Sequence, residues 1–130
     1  MKTYIGSVTP RAMNWTVRVI DDPDGTLNEN NLQEVERATR KLDPRFDLAN
    51  HSPTGFAWGY GGSGPAQLAL AILCDCLGDD GRARRLYQDF KFMKIARLDK
   101  DKPFRLTETE VQAAVRDLEM GKRPVAPELD

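Results

Sequence analysis

The pattern of hydrophobic and polar positions changes in the middle of the chain from alternation to helical spacing. Phe56, Trp58 and Tyr60 alternate with small residues, which is typical of a half-buried strand. Between 63 and 77, apolar residues recur three and four positions apart and also fill much of the opposite side. A helix that is apolar nearly all round belongs inside a domain. The pattern therefore predicts a strand at 56–60 and a central helix at 63–77 that ends at Gly78.

Two earlier segments, 3–8 and 14–20, are rich in β-branched and aromatic residues and are separated by a short loop sequence, as in a β-hairpin. Trp15, Val17 and Val19 would share one face of the second strand. Together with 56–60, the hairpin predicts a small antiparallel sheet. The expected fold class is α+β, with this sheet packed on the central apolar helix and two or three further helices around it.

Capping patterns predict the remaining helices. Asn30 or Asn31 is suited to cap a short helix over 32–40. Asp79 and Asp80 can cap a second helix that runs to about Lys94 and is followed by extended chain. A capping box that begins at Thr107 predicts a third helix over 108–120. Residues 1–121 would then form a single domain, and 122–130 a flexible tail.

The composition is that of an ordinary globular domain. The 130 residues are 40% hydrophobic and 30% charged, with a formal net charge of -1, which argues against a surface that generally attracts nucleic acid. No apolar run approaches the roughly 20 residues of a membrane span, so we expect a cytoplasmic protein. Cys74 and Cys76 would point about 200° apart on a helix. They should therefore be buried free thiols that neither pair with each other nor share a metal.

The glycine-rich turn at 61–64 has two interpretations. A turn that leads into a helix N-terminus presents free amides and the positive end of the helix dipole, which together bind anions. Alternatively, the glycines only let an aromatic strand turn tightly into the central helix. The spacing fits neither a P-loop nor a dinucleotide-binding motif. The candidate anion-binding residues, with two aromatic rings on which a base could stack, are Gly61, Gly62, Ser63, Gly64, Trp58 and Tyr60.

His51 is the only histidine. It could act as a general base or metal ligand, or it could tether a loop through hydrogen bonds. One histidine without a patterned set of further ligands does not indicate a metal site. A small hydrolase that uses His51 with Asp47 or Ser52 is an alternative function, but the sequence shows no positioned partners for acid–base catalysis. We therefore predict no catalytic residues, no metal and no cofactor.

The segment 82–105 holds nine basic residues against three acidic ones. It could form a patch that binds phosphate, RNA or an acidic protein surface. It could equally be a solvated helix face whose charge is offset by the acidic 21–36 region. The candidate partner-binding residues are Arg82, Arg84, Arg85, Lys91, Lys94 and Arg97.

The stretch HSPTGFAWGYGGSGPAQLALAIL, followed by LYQDFK, ARL and the Leu106–Thr107 entry to the last helix, resembles a small bacterial domain family of unknown function. Phages, plasmids and other mobile elements carry this family. The resemblance covers roughly 42–115, and 26–41 looks like an insertion. The family offers no established catalytic residues. The resemblance implies a mobile-element setting in a bacterial host, where compact proteins often act by binding host machinery, including as inhibitors of CRISPR-Cas or other defence systems.

Two functions from different classes follow. The first is a non-catalytic accessory protein that binds a host defence or nucleic-acid-handling complex through the basic face, in the manner of an anti-CRISPR inhibitor. Direct contact with nucleic acid is a variant of this hypothesis, and no membrane partner is expected. The second is a sensor or sponge for a nucleotide or another phosphate, which would bind at the glycine-rich helix N-terminus.

Overall fold

The computed structural model describes residues 1–9 and 14–124, and the fold within these ranges is α+β. Four strands form one sheet on which the helices pack. Strands and helices follow one another in the order β1 (Lys2–Thr9), β2 (Asn14–Asp21), α1 (Leu32–Ala38), β3 (Thr39–Lys41), α2 (Ser63–Leu77), α3 (Asp80–Phe90) with a π-helical turn (Lys91–Ile95), β4 (Phe104–Thr107) and α4 (Glu108–Glu119).

The sheet is antiparallel throughout, with the strand order β3-β2-β1-β4. The predicted hairpin of β1 and β2 is confirmed, and Tyr4 lies opposite Val19. The predicted strand at 56–60 is wrong, and the sheet gains β3 and β4 instead. Trp58 is buried in a bent connection, where its indole Nε1 donates to the Lys102 carbonyl at 2.8 Å. At Gly59 a φ of +87° breaks the extended chain.

Helix α2 is the centre of the core, as its pattern predicts. Every residue from Gly64 to Cys74 is buried, and α3, the π-helical turn and α4 all pack against it. Gly78 adopts a left-handed conformation with φ +61°, and its amide donates to the Cys74 carbonyl. No helix within the described ranges has the length and apolar character needed to cross a bilayer.

The chain beyond α3 differs from the prediction. Instead of becoming extended after Lys94, it widens into a π-helical turn at Lys91–Ile95. This turn keeps Phe90 and Ile95, five positions apart, both buried. The capping box is confirmed, because Thr107 accepts from the Glu110 amide and the Glu110 carboxylate accepts from the Thr107 amide.

The segment 26–41 carries α1 and β3. Asn31 caps α1 by accepting from the Glu34 amide, as expected, but the helix ends at Ala38 because Thr39 enters the sheet. β3 pairs with β2 and forms one edge of the sheet. Most of the predicted C-terminal tail, 125–130, lies outside the described residues.

Candidate functional site

A cavity of about 270 Å³ opens at the N-terminus of α2. It combines hydroxyl and amide groups with three aromatic rings, and none of the described residues that line it is charged. Its walls come from the start of β2, the 52–60 connection and the first turn of α2. These lining residues are Asn14, Trp15, Ser52, Thr54, Phe56, Ala57, Tyr60, Ser63 and Gly64.

Two backbone amides at the start of α2, in residues that line this cavity, have no acceptor among the described residues. The N-cap, Gly62, has no side chain to accept a hydrogen bond from the first turn. Ala66 donates to the Gly62 carbonyl, whereas the amides of Ser63 and Gly64 find no acceptor among the described residues. Pro65 has no N–H to offer. The first turn therefore presents two donors at the positive end of the helix dipole, a favourable place for negative charge.

The Ser52 hydroxyl is a third group without a partner in the cavity. Only 8% of Ser52 is exposed, and its hydroxyl makes no hydrogen bond within the described part of the chain. No fully enclosed polar side-chain atom there lacks a partner, so this hydroxyl retains a small opening. Ser52 is one of the residues that line the cavity. A hydroxyl that is open to solvent and has no partner in the protein can donate to a ligand oxygen.

Gln67 positions Ser52 beside α2. Its side chain is completely buried within the apolar helix. The Gln67 carboxamide accepts from the His51 amide at 2.8 Å and from the Ser52 amide at 3.4 Å, and it donates to the carbonyls of Pro44 at 2.6 Å and Ala49 at 3.0 Å. One side chain thus ties four backbone groups of the 44–52 loop to α2. The sequence analysis missed Gln67, although a single polar residue in an apolar run was the available signal.

His51 is held as the tethering interpretation expects. Its backbone amide binds Gln67, and its ring Nε2 lies 2.7 Å from the Tyr87 hydroxyl. Asp47 instead pairs with Arg45 at 3.0 Å, so the structure does not bring His51 and Asp47 together. Within the described ranges, no cluster of three or more histidine, cysteine, aspartate or glutamate side chains could hold a metal ion.

The structure changes the predicted anion-binding set. Ser63, Gly64 and Tyr60 line the cavity. Trp58 is only 1% exposed, so the prediction that a base stacks on it is wrong. Gly61 and Gly62 do not line the cavity, because their small size is used to pack rings. A Cβ atom on Gly61 would lie 2.8 Å from the Phe92 ring, and one on Gly62 would lie 2.4 Å from the Tyr60 ring.

The two other aromatic rings of the cavity, Trp15 and Phe56, were not predicted as site residues. The sequence pattern assigned both to strand faces packed in the core. Tyr60 is 42% exposed, and the Lys100 ammonium lies 5.2 Å from the centre of its ring. The cavity therefore offers flat apolar surfaces beside its polar groups.

The predicted basic face is smaller than the sequence indicates. Arg82 pairs with Glu119 at 2.6 Å, and the Arg97 Nε donates to the Phe92 carbonyl. Lys91 is only 7% exposed, with its ammonium 4.2 Å from the centre of the Phe92 ring, and burial lowers its pKa. The prediction that Lys91 contacts a partner at the surface is therefore wrong. The remaining candidates are the exposed Arg84 and Arg85 and the half-buried Lys94.

A partly buried charge cluster lies at the other end of α2. Asp75 accepts from the Tyr4 hydroxyl at 2.9 Å and pairs with Arg40 at 2.7 Å and Lys2 at 3.4 Å. Burial alone would raise the pKa of Asp75, but the hydrogen bonds from Arg40 and Tyr4 outweigh it and lower the pKa. This cluster joins α2 to β1 and β3.

Both cysteines are free thiols, with Cys74 buried and Cys76 half-buried. Burial raises the pKa of each thiol to about 11. The prediction of unpaired thiols is confirmed, whereas only Cys74 is buried as predicted and Cys76 is half-buried.

Most of the chain, including α2, matches one protein family. A model of the family of unknown function DUF6166 matches residues 24–117. The chain belongs to this family. The match contains the whole of α2 and every residue that lines the cavity except Asn14 and Trp15. It also spans 26–41, so the proposed insertion lies inside the part of this DUF6166 chain that the family model covers. No curated protein and no solved structure matches the chain.

Proposed function

We propose that this DUF6166 protein is a non-catalytic binding domain for a small molecule that carries a carboxylate or phosphate group. The observation that carries the proposal is the convergence of three unpaired groups, the amides of Ser63 and Gly64 and the Ser52 hydroxyl, on one cavity. An oxyanion would accept from all three and would lie at the positive end of the α2 dipole.

The residues that line the cavity favour a ligand group with little negative charge at the N-terminus of α2. No cationic side chain lines the cavity among the described residues, where the two amides, the Ser52 hydroxyl and the helix dipole would balance a negative group. A carboxylate or a singly charged phosphate suits such a site better than a polyphosphate, which usually requires lysine, arginine or a metal. The neighbouring rings of Trp15, Phe56 and Tyr60 would contact the rest of the molecule.

Substitutions at Ser63 provide a sharp test. Ser63 is the first residue of α2, a position that accepts proline without loss of an intrahelical hydrogen bond. Ser63→Pro removes the amide donor, whereas the matched control Ser63→Ala removes the hydroxyl and keeps the amide. Inorganic phosphate and acetate would be titrated into each protein and followed by amide proton–nitrogen correlation NMR.

In the wild type, the amide signals of Ser63 and Gly64 should move with added anion. Ser63→Pro should weaken binding about tenfold or more, because a hydrogen bond to a charged group contributes roughly 1.5–3 kcal/mol. Ser63→Ala should retain most of the affinity. The proposal fails if neither anion moves these signals, or if the two variants bind equally well.

A second candidate function keeps the basic face as a docking surface for a host defence or nucleic-acid-handling complex. It is favoured by Arg84 and Arg85, which are exposed and form no ion pair with any described residue. In a pull-down from bacterial lysate, the double variant Arg84→Glu, Arg85→Glu should lose a protein that the wild type retains. Arg116→Glu, on the exposed side of α4, is the control. Identical retention by all three proteins would contradict this function.

A further inference from the structure

The sheet has an outer face that turns away from the core. Alternation along the strands points Tyr4, Val17 and Leu106 toward the helices, and all three are buried in the core cluster that also contains most of α2. The residues between them point to the outer face. At one end of that face, Thr3 and Ile20 line a cavity together with the chain that follows β2. Further along, the side chains of the outer face are exposed, namely Ser7, Thr16, Arg18, Lys41 and Arg105.

The pairing register brings three cations into one row across this face. Ile5 lies opposite Arg18 on β2 and opposite Arg105 on β4, and Arg18 lies opposite Lys41 on β3. The order across all four strands is therefore Arg105, Ile5, Arg18, Lys41. Because neighbouring strands are about 4.8 Å apart, the row is about 14 Å wide at the backbone.

The charge of this row is largely uncompensated. Arg18 and Lys41 form no ion pair with any residue in 1–9 or 14–124. Like charges directly opposite each other destabilise an antiparallel pair. Arg105 lies 3.6 Å from Glu29, but the two side chains are 60% and 74% exposed, and an exposed ion pair contributes little. The row therefore presents three positive charges that a polyanion can bind.

The residues around the row favour phosphate groups as its partner. Ser7 and Thr16 lie opposite each other two positions along the strands from the row, and both are exposed. Serine and threonine hydroxyls commonly bind DNA phosphates. None of the described strand residues on the outer face is acidic or aromatic. Aromatic side chains usually anchor protein interfaces, and they stack on the bases of single strands, so this face suits neither partner.

We propose that the outer face of the sheet binds the phosphate backbone of double-stranded DNA without sequence preference. The major groove of B-form DNA is about 12 Å wide, so a row about 14 Å wide can reach the phosphates along both of its edges. Arg105 would contact one edge, and Arg18 and Lys41 would contact the other. An RNA duplex has a narrow, deep major groove, which fits this row less well. This site is separate from the cavity at the start of α2.

The test is the fluorescence anisotropy of a short labelled DNA duplex of arbitrary sequence, measured over a range of salt concentrations. The variant is Arg18→Gln with Lys41→Gln. The matched control, Arg116→Gln with Lys122→Gln, removes the same charge from exposed positions at the end of α4. Urea unfolding verifies that both variants fold, and the sheet variant should be at least as stable as the wild type because the repulsion is gone.

The salt dependence of binding counts the contacts. In the wild type, a plot of the logarithm of the binding constant against that of the salt concentration should have a slope of about −3, since each phosphate contact contributes roughly −0.9. In the sheet variant the slope should shrink to about −1, and affinity at low salt should fall about tenfold or more. The control should keep the wild-type slope. Single-stranded DNA and an RNA duplex of equal length should bind more weakly than the DNA duplex.

Several outcomes would overturn the proposal. One is a wild type that does not bind the DNA duplex at low salt, and another is an equal loss of affinity in the sheet variant and the control. Binding of the RNA duplex, the single strand or a polyglutamate chain as tightly as the DNA duplex would also overturn it, because the row would then fit another kind of polyanion.

Discussion

Gln67→Leu is the substitution that tests most directly how the fold builds the site. Leucine is close to glutamine in size, so the change leaves no large cavity in α2, but it deletes every hydrogen bond that holds the 44–52 loop to the helix. The bonds to His51, Pro44 and Ala49 measure 2.8, 2.6 and 3.0 Å, and a longer one of 3.4 Å reaches Ser52.

The expected cost follows from these contacts. Each hydrogen bond contributes a net 0.5–1.5 kcal/mol or so, and each partner left buried without a replacement costs about 1–3 kcal/mol. Since the loop lies at the surface, water can reach some of the freed groups, and the apolar leucine gains transfer energy in the core. We therefore expect Gln67→Leu to lower the free energy of unfolding by about 3 kcal/mol, a large part of the roughly 5–15 kcal/mol typical of a domain.

Equilibrium urea unfolding, followed by the fluorescence of Trp15 and Trp58, measures this change. The control is Gln88→Leu, the same substitution at an exposed position of α3, which should stay within about 0.5 kcal/mol of wild type. Phosphate binding should also weaken in Gln67→Leu, because the Ser52 hydroxyl loses its support. A loss below about 1 kcal/mol with an unchanged urea dependence would refute the assignment of Gln67 as the anchor of the loop.

Three further predictions concern other parts of the fold. Thr107→Ala should cost about 1 kcal/mol of stability by urea unfolding, because it removes the cap of α4, whereas Thr109→Ala should cost much less. Asp75→Asn should make the free energy of unfolding depend less steeply on pH in the acid range. The folded pKa of Asp75 lies below its ordinary 3.8, so its ion pairs stabilise fully above that value and are lost as the pH falls through the folded pKa. The same pH dependence of unfolding in Asp75→Asn and in the wild type would contradict this. Gly59→Ala should lower the melting temperature more than Gly25→Ala, since both glycines have positive φ but only at Gly59 would a Cβ meet backbone, 2.5 Å from the Lys100 Cα.

The parts of the fold that local chemistry determines were predictable from the sequence. The hairpin of β1 and β2, the central helix α2 with its Gly78 stop, and the capping box of α4 each depend on residues close together in the chain. β3 and β4 have only three and four residues, and they are strands because they pair with distant segments. No local pattern distinguishes such short strands from loops, since the pairing partner supplies the stability.

The alternation at 56–60 shows how a local pattern misleads. Trp58 is buried because it packs edge to face on Phe104 and donates to Lys102, not because it faces the inner side of a sheet. The same kind of long-range placement explains the missed site residues. Gln67, which is distant in sequence, holds the Ser52 backbone beside α2. Trp15 lines the cavity because β3 ends before it covers that end of β2.

Three donors without a described partner lie together at the start of α2. The amides of Ser63 and Gly64 have no acceptor among the described residues, and the Ser52 hydroxyl makes no hydrogen bond there. All three residues line one cavity, together with the rings of Trp15 and Phe56. We propose that an oxyanion bound in this cavity accepts from these donors, and the titration of the Ser63 variants tests it.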